Sequence, residues 1–181
     1  MTLNKGEWSE FFAFLKMLSS PRIYFGDENL EISSLQDYLT IYELQHIGST
    51  KVYALDKGQL KIIDGSQSTN LGNVKDIISN YLVDEIQDAI INARSRTFNI
   101  NQNELLKLLD VTAFKGDSQT KADIRVSHEY EGLSTSSDPW GIKSFLGSCP
   151  TLLNAGSTTN FVYEITNFNG DMNAINNIST R

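Results

Sequence analysis

Two short stretches of the chain carry the charged side chains that phosphodiester hydrolysis requires. In residues 122–127 (ADIRVS), apolar and polar residues alternate, which predicts a strand that turns Asp123 away from the protein core. In residues 140–144 (WGIKS), the same alternation turns Lys143 away from the core. If the two strands pair, Asp123 and Lys143 approach each other on one accessible face of a sheet.

A carboxylate beside an ammonium group is suited to cutting a phosphodiester bond. The carboxylate holds Mg²⁺, which neutralises the charge that develops on phosphorus and lowers the pKa of a bound water. The ammonium group orients that water or helps to deprotonate it, and it stabilises the negative transition state. On residue type and spacing alone, an exposed acid and an exposed lysine on neighbouring strands are more often a solvated sheet face.

A longer set of motifs resembles the HpaII-type restriction endonucleases. The matching segments are NKGEWSE (4–10), DENL (27–30), GIKS (141–144), LGS (146–148), PTLLNA (150–155), TNF (159–161) and YEI (163–165). Their order and spacing follow the family pattern GFSIKS…LGS…TLLNAS…TNF.Y.I. The resemblance runs from near residue 4 to the end of the chain.

The resemblance implies a PD-(D/E)XK nuclease core, in which helices flank a central mixed β-sheet, and Mg²⁺-dependent cleavage of duplex DNA at a short palindrome. The name-giving member of the family acts on CCGG. Asp123 takes the place of the metal-binding aspartate and Lys143 that of the motif lysine, while the backbone carbonyl near Ile142 is a further oxygen ligand. Glu7 or Glu10 is the helical acid that such folds often aim at the metal. Acids in a first helical turn also complement the helix dipole without taking part in catalysis, so both interpretations stay open.

The resemblance also raises a question about one metal ligand. The acidic position two residues before Lys143 is occupied by Gly141, and the family pattern has serine there. A ligand must then come from elsewhere. The candidates are Glu129, Glu131 and Asp138 in the preceding polar stretch, and Glu164 on the following strand.

Short polar residues near the end of the matched segment are candidates for DNA contacts, because such side chains bind phosphates and base edges. They are Ser144, Ser148, Thr151, Asn154, Thr159 and Asn160. A turn network that bonds its own backbone explains the same composition. His46 and His128 form no ligand cluster with Cys149, so no zinc site is expected, and His128 is expected in an exposed loop.

The periodicity of apolar residues predicts the elements that must position these side chains. Helices are expected at 8–18, 74–94 and 103–109, the last capped by Asn101 or Asn103. Strands are expected at 22–25, 37–45, 51–55, 59–63, 122–127, 140–145 and 160–166, with a hairpin turn at 56–58. The polar stretches 65–73 and 128–138 are expected to be loops. The result is a single α+β domain over 1–181.

Composition limits the functional classes less than the motifs do. The net charge of −7 argues against non-specific binding to nucleic acid, but a metal-dependent nuclease must concentrate carboxylates. The single cysteine cannot form an internal disulfide, and the N-terminus has no apolar segment of the secretory type. The expected location is the cytoplasm, without membrane association.

Members of the resembled family are longer than this chain, so we expect it to lack their C-terminal half. The expected partners are double-stranded DNA, a second copy or a complementing C-terminal half, and a DNA methyltransferase of the same restriction–modification system. The alternative is an inactive or partial DNA-binding or assembly fragment of a split enzyme. A neighbouring methyltransferase gene or a downstream reading frame for the missing half would favour the split nuclease.

Overall fold

The computed structural model of the chain describes residues 2–29, 31–81, 83–111, 122–144 and 146. The predicted strand at 160–166 lies outside the described residues. The helices are α1 (Lys5–Ser19), α2 (Val74–Asn80), α3 (Val83–Asn92) and α4 (Asn103–Leu108). The strands are β1 (Thr2–Asn4), β2 (Arg22–Tyr24), β3 (Tyr38–His46), β4 (Val52–Asp56), β5 (Gln59–Asp64), β6 (Gln67–Asn73), β7 (Thr97–Asn99), β8 (Ile124–Tyr130) and β9 (Leu133–Trp140).

Strand β3 lies inside a seven-stranded sheet in which the order is β6-β5-β4-β3-β8-β9, and β2 also pairs with β3. Every pairing in the described part of this sheet is antiparallel. Strands β1 and β7 form a separate antiparallel pair. The predicted α+β class is confirmed, and β2 to β5 lie where the sequence predicts them, with the expected hairpin between β4 and β5.

Helix α1 begins with a capping box and is held to the rest of the protein by apolar packing. Its fully buried side chains are Trp8, Phe11, Leu15 and Leu18. The indole N–H of Trp8 donates to the carbonyl of Phe98 at 3.1 Å, and the Phe14 ring meets Tyr53 of β4 edge-on at 4.9 Å between centroids. The predicted helix at 8–18 is therefore confirmed, and its orientation is fixed by contacts along its whole length.

Other predicted elements differ from the structure. The helix expected at 74–94 is two helices, because α2 ends at Asn80 and α3 begins at Val83, yet both bury apolar residues in the same core. The stretch at 65–73 contains strand β6, whose side chains are mostly exposed, so no alternation marks it. Helix α4 is capped by Gln102 without a side-chain hydrogen bond, so the predicted Asn101 or Asn103 cap is wrong. In the described part of the chain, no helix is long and apolar enough to span a membrane.

The largest correction concerns the polar stretch at 128–138, which is not a loop. Strands β8 and β9 form a hairpin joined by Glu131 and Gly132, with φ of 48° and 80°. Lys57 and Gly58 between β4 and β5 have nearly the same angles, 49° and 80°, and positive φ at both central residues defines a type I′ turn. Asp123 and Lys143 therefore lie at the open end of a tight hairpin.

We predict that Gly132→Ala destabilises the protein by about 1–2 kcal/mol, because an added Cβ is strained at this positive φ. Nothing lies within 4 Å of that Cβ, so the loss comes from the backbone alone. Gly132→Asn is the matched control and costs less, because asparagine tolerates the left-handed region. Urea unfolding of the two variants gives the comparison. Equal stability of Gly132→Ala and the unmodified protein would contradict the turn geometry.

Candidate active site

Asp123 lies at the point where three strand ends meet. Its N–H donates to the carbonyl of Trp140 at 2.8 Å, and its carbonyl accepts from the N–H of Ile47 at 3.2 Å. Its carboxylate oxygen Oδ2 accepts from the N–H of Ile142 at 2.6 Å. Both the backbone and the side chain of Asp123 are thus fixed by hydrogen bonds to residues at the ends of β3 and β9.

The two strands that flank the site differ from those predicted. Strand β8 begins at Ile124, so Asp123 lies just before the strand and not within it. Strand β9 ends at Trp140 and residues 141–144 are not in a strand, so the strand predicted at 140–145 is wrong beyond its first residue and Lys143 follows β9. Lys143 is exposed, and Ile142 is partly buried and packs against the core, as the alternation predicts.

The carboxyl group of Glu10 on α1 interacts with charged groups at the open end of the β8–β9 hairpin. Its pKa is raised from 4.5 to about 7, first by burial and then by the negative charges of Asp123 and Glu7. Lys143 acts in the opposite direction and lowers the pKa of Glu10. Asp123, Glu7 and Lys143 therefore all lie near enough to Glu10 to influence its pKa, although Asp123 and Lys143 are far from it in sequence.

Glu7 and Glu10 differ in what they contact. The Oε2 atom of Glu7 accepts from the N–H of Asn4 at 2.8 Å, and the Oδ1 atom of Asn4 accepts from the N–H of Glu7 at 3.0 Å. This reciprocal pair is a capping box, which satisfies N–H groups that lack partners at the start of a helix. Glu7 therefore stabilises the start of α1, while the charge of Glu10 is coupled more strongly to Asp123 than to Glu7.

His46 is a neighbour of the site that the sequence does not single out. It is the last residue of β3 and pairs with Ile124, the residue after Asp123. Its Nδ1 lies 2.9 Å from the carbonyl of Ile47. Burial lowers the pKa of the imidazole, against the opposing effects of the Ile47 carbonyl and of the charge on Asp123. Only the pairing of β3 with β8 brings His46 here, and that pairing is not visible in the sequence pattern.

The three candidate acids on the β8–β9 hairpin have other positions or partners. Glu129 lies near the closed end of the hairpin and Glu131 in its turn, roughly 20 Å of strand from Asp123 at ~3.3 Å per residue. Asp138 accepts from the indole of Trp140 and lies beside His128, which is buried in β8 and is not the exposed loop residue that the sequence predicts. Neither Glu129 nor Glu131 replaces the missing acid at Gly141.

Most of the predicted DNA contacts cannot be placed. Ser148, Thr151, Asn154, Thr159 and Asn160, like Glu164 and Cys149, lie outside the described residues. The hydroxyl of Ser144 accepts from the N–H of Leu146 at 3.1 Å, which is the local turn bond that the alternative interpretation predicts. Within the described residues, no group of three acidic, histidine or cysteine side chains is close enough to hold a metal ion.

Comparison with known proteins adds the family. The sequence profile of the HpaII restriction endonuclease family matches residues 4–181. The chain belongs to this family. It is 33% identical over 178 residues to the type II restriction enzyme HpaII of Haemophilus parainfluenzae, in an alignment that covers 91% of this chain and 46% of that enzyme. The chain thus spans about half the length of this relative. No solved structure is significantly similar to it.

We predict that Glu10→Gln stabilises the protein at pH 8 but not at pH 4. Between the unfolded pKa of 4.5 and the folded pKa of about 7, the native state keeps a proton that the unfolded state has lost, so ionisation of Glu10 reduces stability as pH rises. Because glutamine cannot ionise, the Glu10→Gln variant does not lose stability in this way as pH rises. The measurement is urea unfolding at both pH values, with Glu28→Gln in an exposed loop as the control. A stability difference that does not change with pH would contradict the raised pKa.

Proposed function

We propose that this chain is the catalytic, metal-binding part of a type II site-specific deoxyribonuclease that hydrolyses phosphodiester bonds of duplex DNA with Mg²⁺. The convergence of Asp123, Glu10 and Lys143 at the open end of the β8–β9 hairpin supports this proposal. Membership of a restriction endonuclease family supports it independently. Because the chain spans about half of its relative, the activity, substrate and partners of the whole enzyme are all part of the proposal.

The residues present fit a magnesium ion. Mg²⁺ prefers hard oxygen ligands and is usually held by one or two carboxylates, with water and substrate phosphates completing the shell. Asp123 and Glu10 provide two such carboxylates, and the Ile142 carbonyl is a further hard oxygen. Mutual repulsion of the two carboxylates contributes to the raised pKa of Glu10, and a divalent cation would relieve that repulsion.

Each residue then has a distinct task in hydrolysis. A bound Mg²⁺ would supply Lewis acidity toward the phosphate and a lowered pKa for the attacking water. Asp123, whose carboxylate is held by the Ile142 amide, provides a fixed oxygen ligand. Lys143 is exposed at the hairpin end, where its ammonium group can orient the water and stabilise the charge that develops on phosphate oxygens. Glu10 would provide the second carboxylate ligand, because a bound cation would lower its raised pKa and keep it ionised.

The details of recognition belong to the same proposal. The resemblance suggests the palindrome CCGG, with contacts from Ser144 and from the polar residues that follow it. A palindromic site matches two-fold symmetry, so the active form is a homodimer or this chain joined to a complementing C-terminal half. A cognate methyltransferase would protect the host DNA.

We predict that the purified chain with Mg²⁺ cuts plasmid DNA into discrete bands, and that Asp123→Asn and Lys143→Ala each lower the rate at least ~100-fold. The matched controls are Asp88→Asn and Lys57→Ala, which remove the same charges at exposed positions in α3 and in the β4–β5 turn. The controls should cut at the unmodified rate. Mapping the ends gives the recognition sequence.

Two outcomes would contradict the proposal in different ways. If DNA is still cut in both Asp123→Asn and Lys143→Ala, these residues do not form the catalytic site. A chain that neither cuts with Mg²⁺ nor binds duplex DNA with Ca²⁺ would favour the alternative of a partial or inactive assembly fragment.

A further inference from the structure

The hairpin carries a second polar cluster that the proposed chemistry does not use. The Oδ2 atom of Asp138 accepts from the indole N–H of Trp140 at 2.9 Å and lies 3.5 Å from Nε2 of His128. The rings of His128 and Trp140 lie next to each other, with 5.6 Å between their centroids. His128 is only 9% exposed, and Ile124 and Val126 on the same side of β8 belong to the apolar core. A charged carboxylate thus links two rings at the edge of the core.

A β-bulge brings Asp138 and Trp140 to this side of the sheet. His128 is opposite Thr135, but Val126 is opposite Asp138, so β9 has one more residue than β8 between these pairs. An extra residue reverses the side on which all later side chains of the strand lie. Without the bulge, Asp138 and Trp140 would point away from His128 and from the core.

The bulge is held by specific contacts. Ser137 adopts a positive φ of 56°, which is unfavourable for a residue with a Cβ. Its N–H donates to the hydroxyl of Ser127 at 3.1 Å, and its carbonyl accepts from the guanidinium of Arg125 at 3.3 Å. Side chains of β8 therefore maintain a strained conformation in β9, and the effect of that conformation is to direct Asp138 toward Trp140 and His128.

The cluster is joined directly to the candidate active site. The carbonyl of Trp140 accepts the N–H of Asp123 at 2.8 Å. Two residues after Trp140, the N–H of Ile142 donates to the Asp123 carboxylate at 2.6 Å. A shift of the backbone at Trp140 therefore moves the acceptor of the Asp123 N–H and the segment that leads to Ile142.

We propose that Asp138 is a positioning residue: its carboxylate, set between His128 and Trp140, fixes the end of β9 and thereby orients the carboxylate of Asp123. The expected effect on catalysis rests on the proposed nuclease function, whereas the effect of Asp138 on the orientation of Asp123 does not. Hydrogen bonds from Trp140 and His128 lower the pKa of Asp138, so it is ionised at neutral pH and its bond to the indole is charge-assisted. Asp138 therefore supports the end of β9 and does not replace the missing acid at Gly141.

The first test measures geometry and needs no activity. Amide hydrogen exchange by NMR is compared in Asp138→Ala and Asp138→Asn, where asparagine keeps an oxygen that can accept the indole N–H. We expect exchange at Asp123 and Ile142 to be about tenfold faster in Asp138→Ala than in the unmodified protein, and mostly restored in Asp138→Asn. Glu129→Ala, an exposed acid on the same hairpin, is the control and should leave both amides unchanged.

A second variant covers the case in which Asp138→Ala fails to fold. Trp140→Phe keeps the aromatic ring but removes the N–H that Asp138 accepts, so it should speed exchange at the Asp123 and Ile142 amides in the same way. Because the chain has two tryptophans, the NMR spectrum of the Trp8→Phe variant identifies the indole N–H signal of Trp140. If neither Asp138→Ala nor Trp140→Phe changes exchange at the two amides beyond the Glu129→Ala control, the positioning role is overturned.

The third measurement links the geometry to chemistry. Loss of a group that orients a metal ligand typically costs 10- to 100-fold in metal affinity or activity. In Asp138→Ala, kcat should fall about tenfold or more and the Mg²⁺ concentration for half-maximal cleavage should rise. KM for DNA should stay unchanged, and Asp138→Asn should recover most of the rate.

If the unmodified chain does not cut DNA but the exchange changes occur, the nuclease proposal fails and the positioning role stands. If kcat, the Mg²⁺ requirement and exchange in Asp138→Ala all match the control, the positioning role fails and the nuclease proposal stands.

Discussion

The burial of the Glu10 carboxyl near the negative charge of Asp123 is the constraint on which this account depends. Glu10 would titrate near 4.5 in water, but burial and the nearby negative charge of Asp123 raise its pKa to about 7. Such an arrangement lowers the stability of the fold at neutral pH and above. Apolar packing holds α1 in place, with Trp8, Phe11, Leu15 and Leu18 fully buried, and perturbed pKa values of this kind cluster at functional sites.

Two independent parts of the fold keep the carboxylates together. On one side, the capping box at Glu7 and the burial of Trp8 and Phe11 fix the rotation of α1, which decides where Glu10 points. On the other side, hydrogen bonds from Ile47 and Ile142 hold Asp123 at the strand ends. Neither part can relax to separate the charges without losing core contacts or ladder hydrogen bonds. The site is therefore preorganised by elements that are distant from each other in sequence.

The sequence predicts the elements whose residues alternate or recur with a clear apolar pattern. Helix α1 and strand β8, which follows Asp123, are examples, because burial on one side leaves a regular signal. Strand β9 was predicted wrongly as a loop for a physical reason: it is mostly exposed and rich in serine, so nothing distinguishes it from a polar connection. Strand β6 was missed for the same reason. Edge strands of this kind are stabilised by backbone pairing, which a one-dimensional pattern does not record.

Alternation and family motifs point to Asp123 and Lys143, both of which influence the pKa of Glu10, whereas they do not decide between Glu7 and Glu10. Both glutamates lie near the start of the same helix, and only the position of Asn4 shows that Glu7 completes a capping box. The placement of His46 likewise depends on strand pairing between distant segments. Tertiary contacts of this type are decided by packing and not by local residue type.

The most direct test of the account is a pH titration of the Glu10 side-chain carboxyl, followed by ¹³C NMR in the unmodified protein and in Asp123→Asn. The account predicts a pKa of about 7 for Glu10 in the unmodified protein and a clearly lower value once the charge at residue 123 is removed. It also predicts that Mg²⁺ lowers the pKa of Glu10 in the unmodified protein. A Glu10 that titrates near 4.5 in both proteins, with no response to Mg²⁺, would show that the two carboxylates do not share a site.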